Sequence, residues 1–159
     1  MKNLLRATTV LLLIVVSGAM AASLVHSTDA KAVSAALKKL GYGATPETTG
    51  TGVPQVRIET KGGQVVYLYL FDDDQRRAGY EGLQLSVCAD VGDEVPAEAI
   101  SYWNQAHRYA KVYVDESGAV CLESDLDLKM GVVLESALKE FMSKFLENLD
   151  AYELELIGK

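Results

Sequence analysis

Residues 110 to 128, AKVYVDESGAVCLESDLDL, change polarity at every step on both sides of a short acidic turn. Ala110, Val112 and Val114 share one phase, against Lys111, Tyr113 and Asp115. Beyond the turn, Val120, Leu122, Ser124, Leu126 and Leu128 share one phase, against Cys121, Glu123, Asp125 and Asp127. Neighbouring side chains of a strand point to opposite faces, so this period specifies two half-buried strands. The DESG stretch, Asp115 to Gly118, has Asp first and Gly last, as a type I turn prefers, and closes the strands into a hairpin. An apolar sheet face must be buried under another layer, so the chain must supply helices to cover it. The acids and the Cys121 thiol are expected to face water.

The helices are legible. Ser27 or Thr28 caps a first helix over 28–40, with Asp29 in its first turn, Val33, Leu37 and Leu40 on one face and Gly41 as the stop. Pro96 opens a second helix over about 96–106, with Ile100 and Trp103 on one side. From Val133 an apolar stripe runs through Leu134, Leu138, Phe141, Phe145 and Leu149, which predicts a third helix to about residue 150. Between the first two helices lie a Gly- and Thr-rich loop with a short edge strand near 45–49, and then three strands. Val56, Ile58 and Thr60 alternate with polar neighbours, and Lys61-Gly62-Gly63 turns the chain. VVYLYLF, 65–71, is apolar in both phases and reads as a central strand. In 83–89, Leu83, Leu85, Val87 and Ala89 oppose Gln84, Ser86 and Cys88. The expected fold is α+β: an antiparallel sheet of about five strands in the order α-β-β-β-α-β-β-α, with helices packed on one face.

The first 21 residues have the layout of a secretory signal peptide: Lys2 and Arg6, an apolar run from Ala7 to Val16, then Ala19 and Ala21 before a cut. The run is shorter than the roughly 20 residues a spanning helix needs, although a retained N-terminal anchor is the alternative. Cleavage after Ala21 leaves 22–159 as a single domain, exported to the periplasm or beyond. The leader holds two of the 15 basic residues and none of the 22 acidic ones, so the remainder carries 13 against 22, a net charge of −9. Such a chain repels nucleic acid and anionic lipid, and neither is expected as a partner.

Several stretches together resemble the YbjN family, whose members are often labelled bacterial sensory transduction regulators. They are LKKLGYGA, GVPQVRIE, GLQLSV and the long run from Trp103 to Val133. Within that run the resemblance rests on Trp103-Asn104, Arg108-Tyr109-Ala110, the acidic turn ending at Gly118, and Glu123 to Leu128 before Gly131. It implies a fold like the chaperones of type III secretion and no established enzyme activity. Exported relatives often carry Cys in the loop before the third strand; here Asp72 to Gly82 has none, so no bridge is expected there.

The chemistry-bearing residues are few. Cys88 and Cys121 are a disulfide candidate if their strands are neighbours, since both side chains would then point to one side. Two separate thiols are the alternative, and strand phase alone does not choose. Glu123, Asp125 and Asp127 stand about 6.6 Å apart along one strand, too wide for adjacent members alone to hold a cation, and read as a solvated acidic face. Asp72 to Asp74 read the same way, so neither metal nor cofactor is expected. His107, at the end of the second helix, and His26 are the only histidines, and no nucleophile motif accompanies them, so no catalytic residue is assigned. Tyr102, Trp103, Tyr109 and Tyr113 are expected to cluster around the hairpin, with Trp103 in the core. Asn104 is expected to cap the helix end or brace the turn, and Arg108 to meet the acidic strand. The binding residues to be tested are Trp103, Asn104, Arg108, Lys111 and Tyr113. The leading expectation is a non-enzymatic, chaperone-like or regulatory protein that contacts a protein partner or a second copy of itself, with strand 110–115 as a candidate edge. A small-ligand sensor or inhibitor using Trp103 to Tyr113 is the alternative.

Overall fold

The structure, a computed structural model, describes residues 23–27, 29–71, 80–91, 94–128 and 131–158. The leader and the Asp72 to Asp74 run lie outside the described residues. The elements follow in the order β1 (Leu24–His26), α1 (Ala30–Lys39), β2 (Gly43–Thr48), β3 (Pro54–Glu59), β4 (Val65–Phe71), β5 (Gly82–Ala89), α2 (Ala97–Ala106), β6 (Lys111–Val114), β7 (Val120–Asp127), β8 (Val132–Leu134) and α3 (Glu135–Tyr152), which runs into a π-helical turn at Glu153–Ile157.

Six strands form one antiparallel sheet in the order β2-β3-β4-β5-β7-β6, and β1 pairs with β8 in a separate ribbon. The architecture is the expected α+β; the edge strand expected near 45–49 is β2, which starts at Gly43, and the β1–β8 ribbon is added to what the sequence anticipated. Val56, Ile58, Val66, Leu68, Leu70, Leu83, Leu85, Val112, Val120 and Leu122 line the covered face, each under 5 % exposed. Val33 and Leu37 of α1, Trp103 of α2, and Leu138, Met142, Phe145 and Leu149 of α3 close over them.

Local chemistry moved several boundaries. The cap of α1 is Asp29, whose carboxylate accepts from the Ala32 N–H at 2.7 Å. Ser27 is buried instead, its hydroxyl within reach of the Tyr80 and Gly131 carbonyls at 2.7 and 3.0 Å. Val133 and Leu134 do not open α3. They belong to β8, where Val133 faces Val25, because an apolar β-branched run satisfies a strand as readily as a helix stripe. Val114 was expected inside but is 50 % exposed, since an edge strand has a neighbour on one flank only. Cys121 was expected in water but is 1 % exposed, lying in register between Cys88 and Tyr113.

The ends of the elements are tied together. Glu153 of the π-helical turn accepts from Gln64, in the β3–β4 turn, at 2.9 Å, and Glu155 meets His107 at 3.0 Å. The Tyr152 hydroxyl donates to the Val120 carbonyl at 2.8 Å. These contacts hold α3 across the hairpin, and among the described residues no helix lies on the other side of the sheet.

Candidate functional site

The period of two that buries one face of the sheet presents the other to solvent. Along β4 the outward phase is Tyr67, Tyr69 and Phe71, with ring centroids 6.3 and 6.4 Å apart. Tyr67 and Tyr69 are half-buried by their neighbours and Phe71 is 41 % exposed. The register places Arg57 and Gln55 of β3 on one side of the tyrosines and Ser86 and Gln84 of β5 on the other. Beyond β5, Glu123, Asp125 and Asp127 of β7 face Ser86, Gln84 and Gly82. The result is an aromatic ridge with a column of carboxylates two strands away.

The polar side of this face is organised around Glu123. The Tyr113 hydroxyl donates to it at 2.6 Å, and the Gln84 amide donates to Asp125 at 2.8 Å and more loosely to Glu123 at 3.4 Å. Burial, reinforced by the bond to Glu123, pushes the Tyr113 hydroxyl up to about 12. Lys111 lies 3.6 Å from both Glu123 and Asp125. It is Lys111, not Arg108, that meets the acidic strand: the chain leaves α2 before Arg108, whose backbone carbonyl is held by Asn148 at 3.0 Å. Glu123 is less solvated than an open acidic face implies, with 12 % of its side chain exposed. On the far side, Arg57 is paired with Glu59 at 2.5 Å and Gln55 donates to Glu47 at 3.1 Å.

Cys88 and Cys121 face each other across β5 and β7 and are joined in a disulfide, with Cα atoms 4.1 Å apart. The donor atoms of Cys88, Cys121 and Asp115 lie within 4.8 Å of one another, but sulfurs bonded to each other are not thiolate ligands. Asp115 serves the turn: Ser117, above all, and the Ala119 N–H hold its carboxyl below the usual carboxylate range.

The residues singled out from sequence do not converge. Trp103 is 1 % exposed and stacks on His107 at 4.3 Å; its Nε1 is buried without a hydrogen-bond partner among the described residues. Tyr102 and Tyr109 are 73 % and 68 % exposed, so the expected aromatic cluster does not form: helical spacing turns Tyr102 away from Trp103. Tyr109 instead carries Lys144 over its ring at 4.1 Å and occupies the left-handed region at φ 69°. Asn104 has a different task. Its amide donates to the Val112 carbonyl and accepts from the Val112 N–H, both at 2.8 Å.

That pair decides whether an edge is open. The Asp115 N–H to Ala119 carbonyl bond sets the hairpin phase, so Lys111 and Tyr113 face β7 and Val112 faces away. Asn104 therefore occupies the free side of β6. At the opposite edge the buried Ser34 hydroxyl takes the Ala44 carbonyl at 3.0 Å, and Pro46, in the same phase, has no N–H to offer. The two edge strands are thus blunted at Ala44, Pro46 and Val112 against added strands. Of the five binding candidates, Lys111 and Tyr113 lie on the open face, Asn104 guards an edge, Trp103 is core, and Arg108 stands exposed between α2 and β6. The ridge of Tyr67, Tyr69 and Phe71 was missed because VVYLYLF reads as apolar in both phases. The available signal was that its inward phase is Val-Leu-Leu while its outward phase is largely aromatic with hydroxyls.

Among the described residues no helix is long and apolar enough to cross a membrane. The curated proteins and the solved structures give no match. A family model described as "Putative bacterial sensory transduction regulator", the YbjN family, matches residues 29–157, which takes in α1 through the π-helical turn and every strand of the six-stranded sheet. The chain belongs to the YbjN family.

Proposed function

We propose that this YbjN-family protein is an exported, non-enzymatic regulator or chaperone-like binding protein that acts through protein–protein contacts made by the uncovered face of its sheet. The observation that carries the reading is the pairing of an open aromatic ridge with two blunted edges. Strand addition is obstructed at Ala44 and Pro46 of β2 and at Val112 of β6, whereas a partner can lie across Tyr67, Tyr69 and Phe71. Tyrosines on rigid strands suit this role, because they offer large contact area and little side-chain freedom to lose.

The non-enzymatic reading is supported by how the reactive groups are engaged. His107 is stacked on Trp103 and paired with Glu155, and both cysteines are bonded to each other. Export is supported by the N-terminal signal pattern and by a disulfide, which persists in oxidising compartments. A small-ligand sensor built on Trp103 to Tyr113 has less support, since Trp103 is buried and the Tyr113 hydroxyl is engaged by Glu123.

The test is site-specific photo-crosslinking in the native envelope, with the reactive residue placed at Tyr69 or, on the helical layer, at Glu140. The expected result is a discrete adduct with another polypeptide, or with a second copy, from position 69 and none from position 140. Adducts confined to position 140, or a catalytic turnover that survives loss of the position-69 adduct, would overturn the proposal.

A further inference from the structure

We infer that the uncovered sheet face takes an extended, cation-bearing polypeptide segment and seats one of its Arg or Lys side chains beside Phe71, Asp125 and Asp127. The inference rests on the proposed role of this face and names the chemistry of its partner. Three observations carry it.

The first is charge. The Arg57–Glu59 pair is closed at 2.5 Å and cancels. What remains on the face among the described residues is Glu47, Asp115, Glu123, Asp125 and Asp127 against Lys111, five negative charges against one. A second copy packed face to face would set carboxylates near carboxylates, and anionic polymers or lipids would be repelled. A cationic segment is the complementary occupant.

The second is a built depression. A cavity of about 250 Å³ lies at the end of the ridge, with Phe71 and Gly82 as apolar wall and Asp125 and Asp127 as acidic wall. An aromatic ring beside two carboxylates suits a guanidinium or ammonium group, which gains from a ring face and from charge-assisted hydrogen bonds together. Gly82 adds no side chain to the depression, and the Asp125 side chain is 59 % exposed and reachable.

The third is the loose fit of the resident cation. Lys111 sits 3.6 Å from Glu123 and from Asp125, outside hydrogen-bonding distance of each, with 57 % of its side chain exposed. An incoming guanidinium can make the short bidentate contact that Lys111 does not make.

The experiment titrates isotope-labelled protein with a short capped peptide of alternating Arg and Thr, and with the same peptide carrying Gln or Glu in place of Arg, following amide shifts by NMR. The Arg peptide should perturb β4, β5 and β7 and bind roughly tenfold or more tightly than the Gln peptide, with affinity falling as salt rises. The double variant Asp125→Asn, Asp127→Asn should weaken it by roughly tenfold, while Glu147→Gln with Asp150→Asn, both exposed on α3, should leave it unchanged. Equal binding of the Arg and Gln peptides at this face would overturn the cationic partner and leave the sheet-face reading standing. Equal losses in the two double variants, shifts confined to the helical layer, or binding by none of the peptides would also overturn it. The crosslinking at position 69 decides the sheet-face reading independently.

Discussion

Asn104 shows how one side chain closes an element. Its amide reproduces both hydrogen bonds that a further strand would make to Val112. Asn104→Leu should cost about 1–3 kcal/mol, because it strands a backbone donor and acceptor together, and should raise self-association through the freed edge. Denaturant unfolding and sedimentation check both, and unchanged values in each would refute the capping role. The tyrosines make a second residue-scale prediction. Burial is the main cause that pushes both Tyr113 and Tyr152 up to about 12. A phenol in the unfolded chain ionises near pH 10, so the folded protein holds these protons after the unfolded chain has released them. Their stabilising contribution is fully present below about pH 10 and is lost as the pH rises toward about 12. Absorbance titration should find Tyr113 and Tyr152 the latest of the eight tyrosines to ionise, with the unfolding midpoint falling over the same window. Eight phenols titrating together near pH 10 would contradict it.

At the scale of elements, the β5–β7 pair is the seam of the sheet. β7 inserts between β5 and β6, so residues far apart in sequence must find one register. The Cys88–Cys121 bridge pins that register across a separation of 33 residues. Closing a loop of this length restrains the unfolded chain, so reduction, or Cys88→Ser with Cys121→Ser, should lower stability by about 3–4 kcal/mol. Denaturant curves with and without reductant measure the difference; curves that coincide would mean the bridge adds nothing. The ribbon of β1 and β8 is the element the sequence hid. Leu24–His26 and Val132–Leu134 are each three residues long, too short for a periodic pattern, and only their pairing at a distance makes them strands.

At the scale of the molecule the decisive property is one-sidedness. The three helices among the described residues lie on one face of the sheet, and β4 has Leu68 inside at 0 % exposure with Tyr69 next to it on the open side. Leu68→Ala should cost about 2–5 kcal/mol by leaving a cavity in the core. Tyr69→Thr should change stability by no more than about 1 kcal/mol, since it removes cross-strand contacts and leaves the core intact. Chemical denaturation of the two variants makes the comparison, and a loss at Tyr69 as large as at Leu68 would mean that the face is covered. The same asymmetry gives the face its use, because a folded chain that keeps an aromatic ridge in water has a surface fit to be buried by something else.

The hairpin, the three helices, the α+β class and the phase that sends Leu122 inward and Glu123 outward are legible in the order of residues alone. All of these follow from periods of two and 3.6, which are properties of neighbouring residues. That order also carried the family resemblance. Which strands lie side by side was left to the tertiary structure, because backbone pairing is blind to most side chains and register is settled by the whole sheet at once. Only there does Cys88 meet Cys121, does Asn104 reach Val112, and does the second apolar phase of VVYLYLF become an open surface: among the described residues, α1, α2 and α3 all pack on the other side.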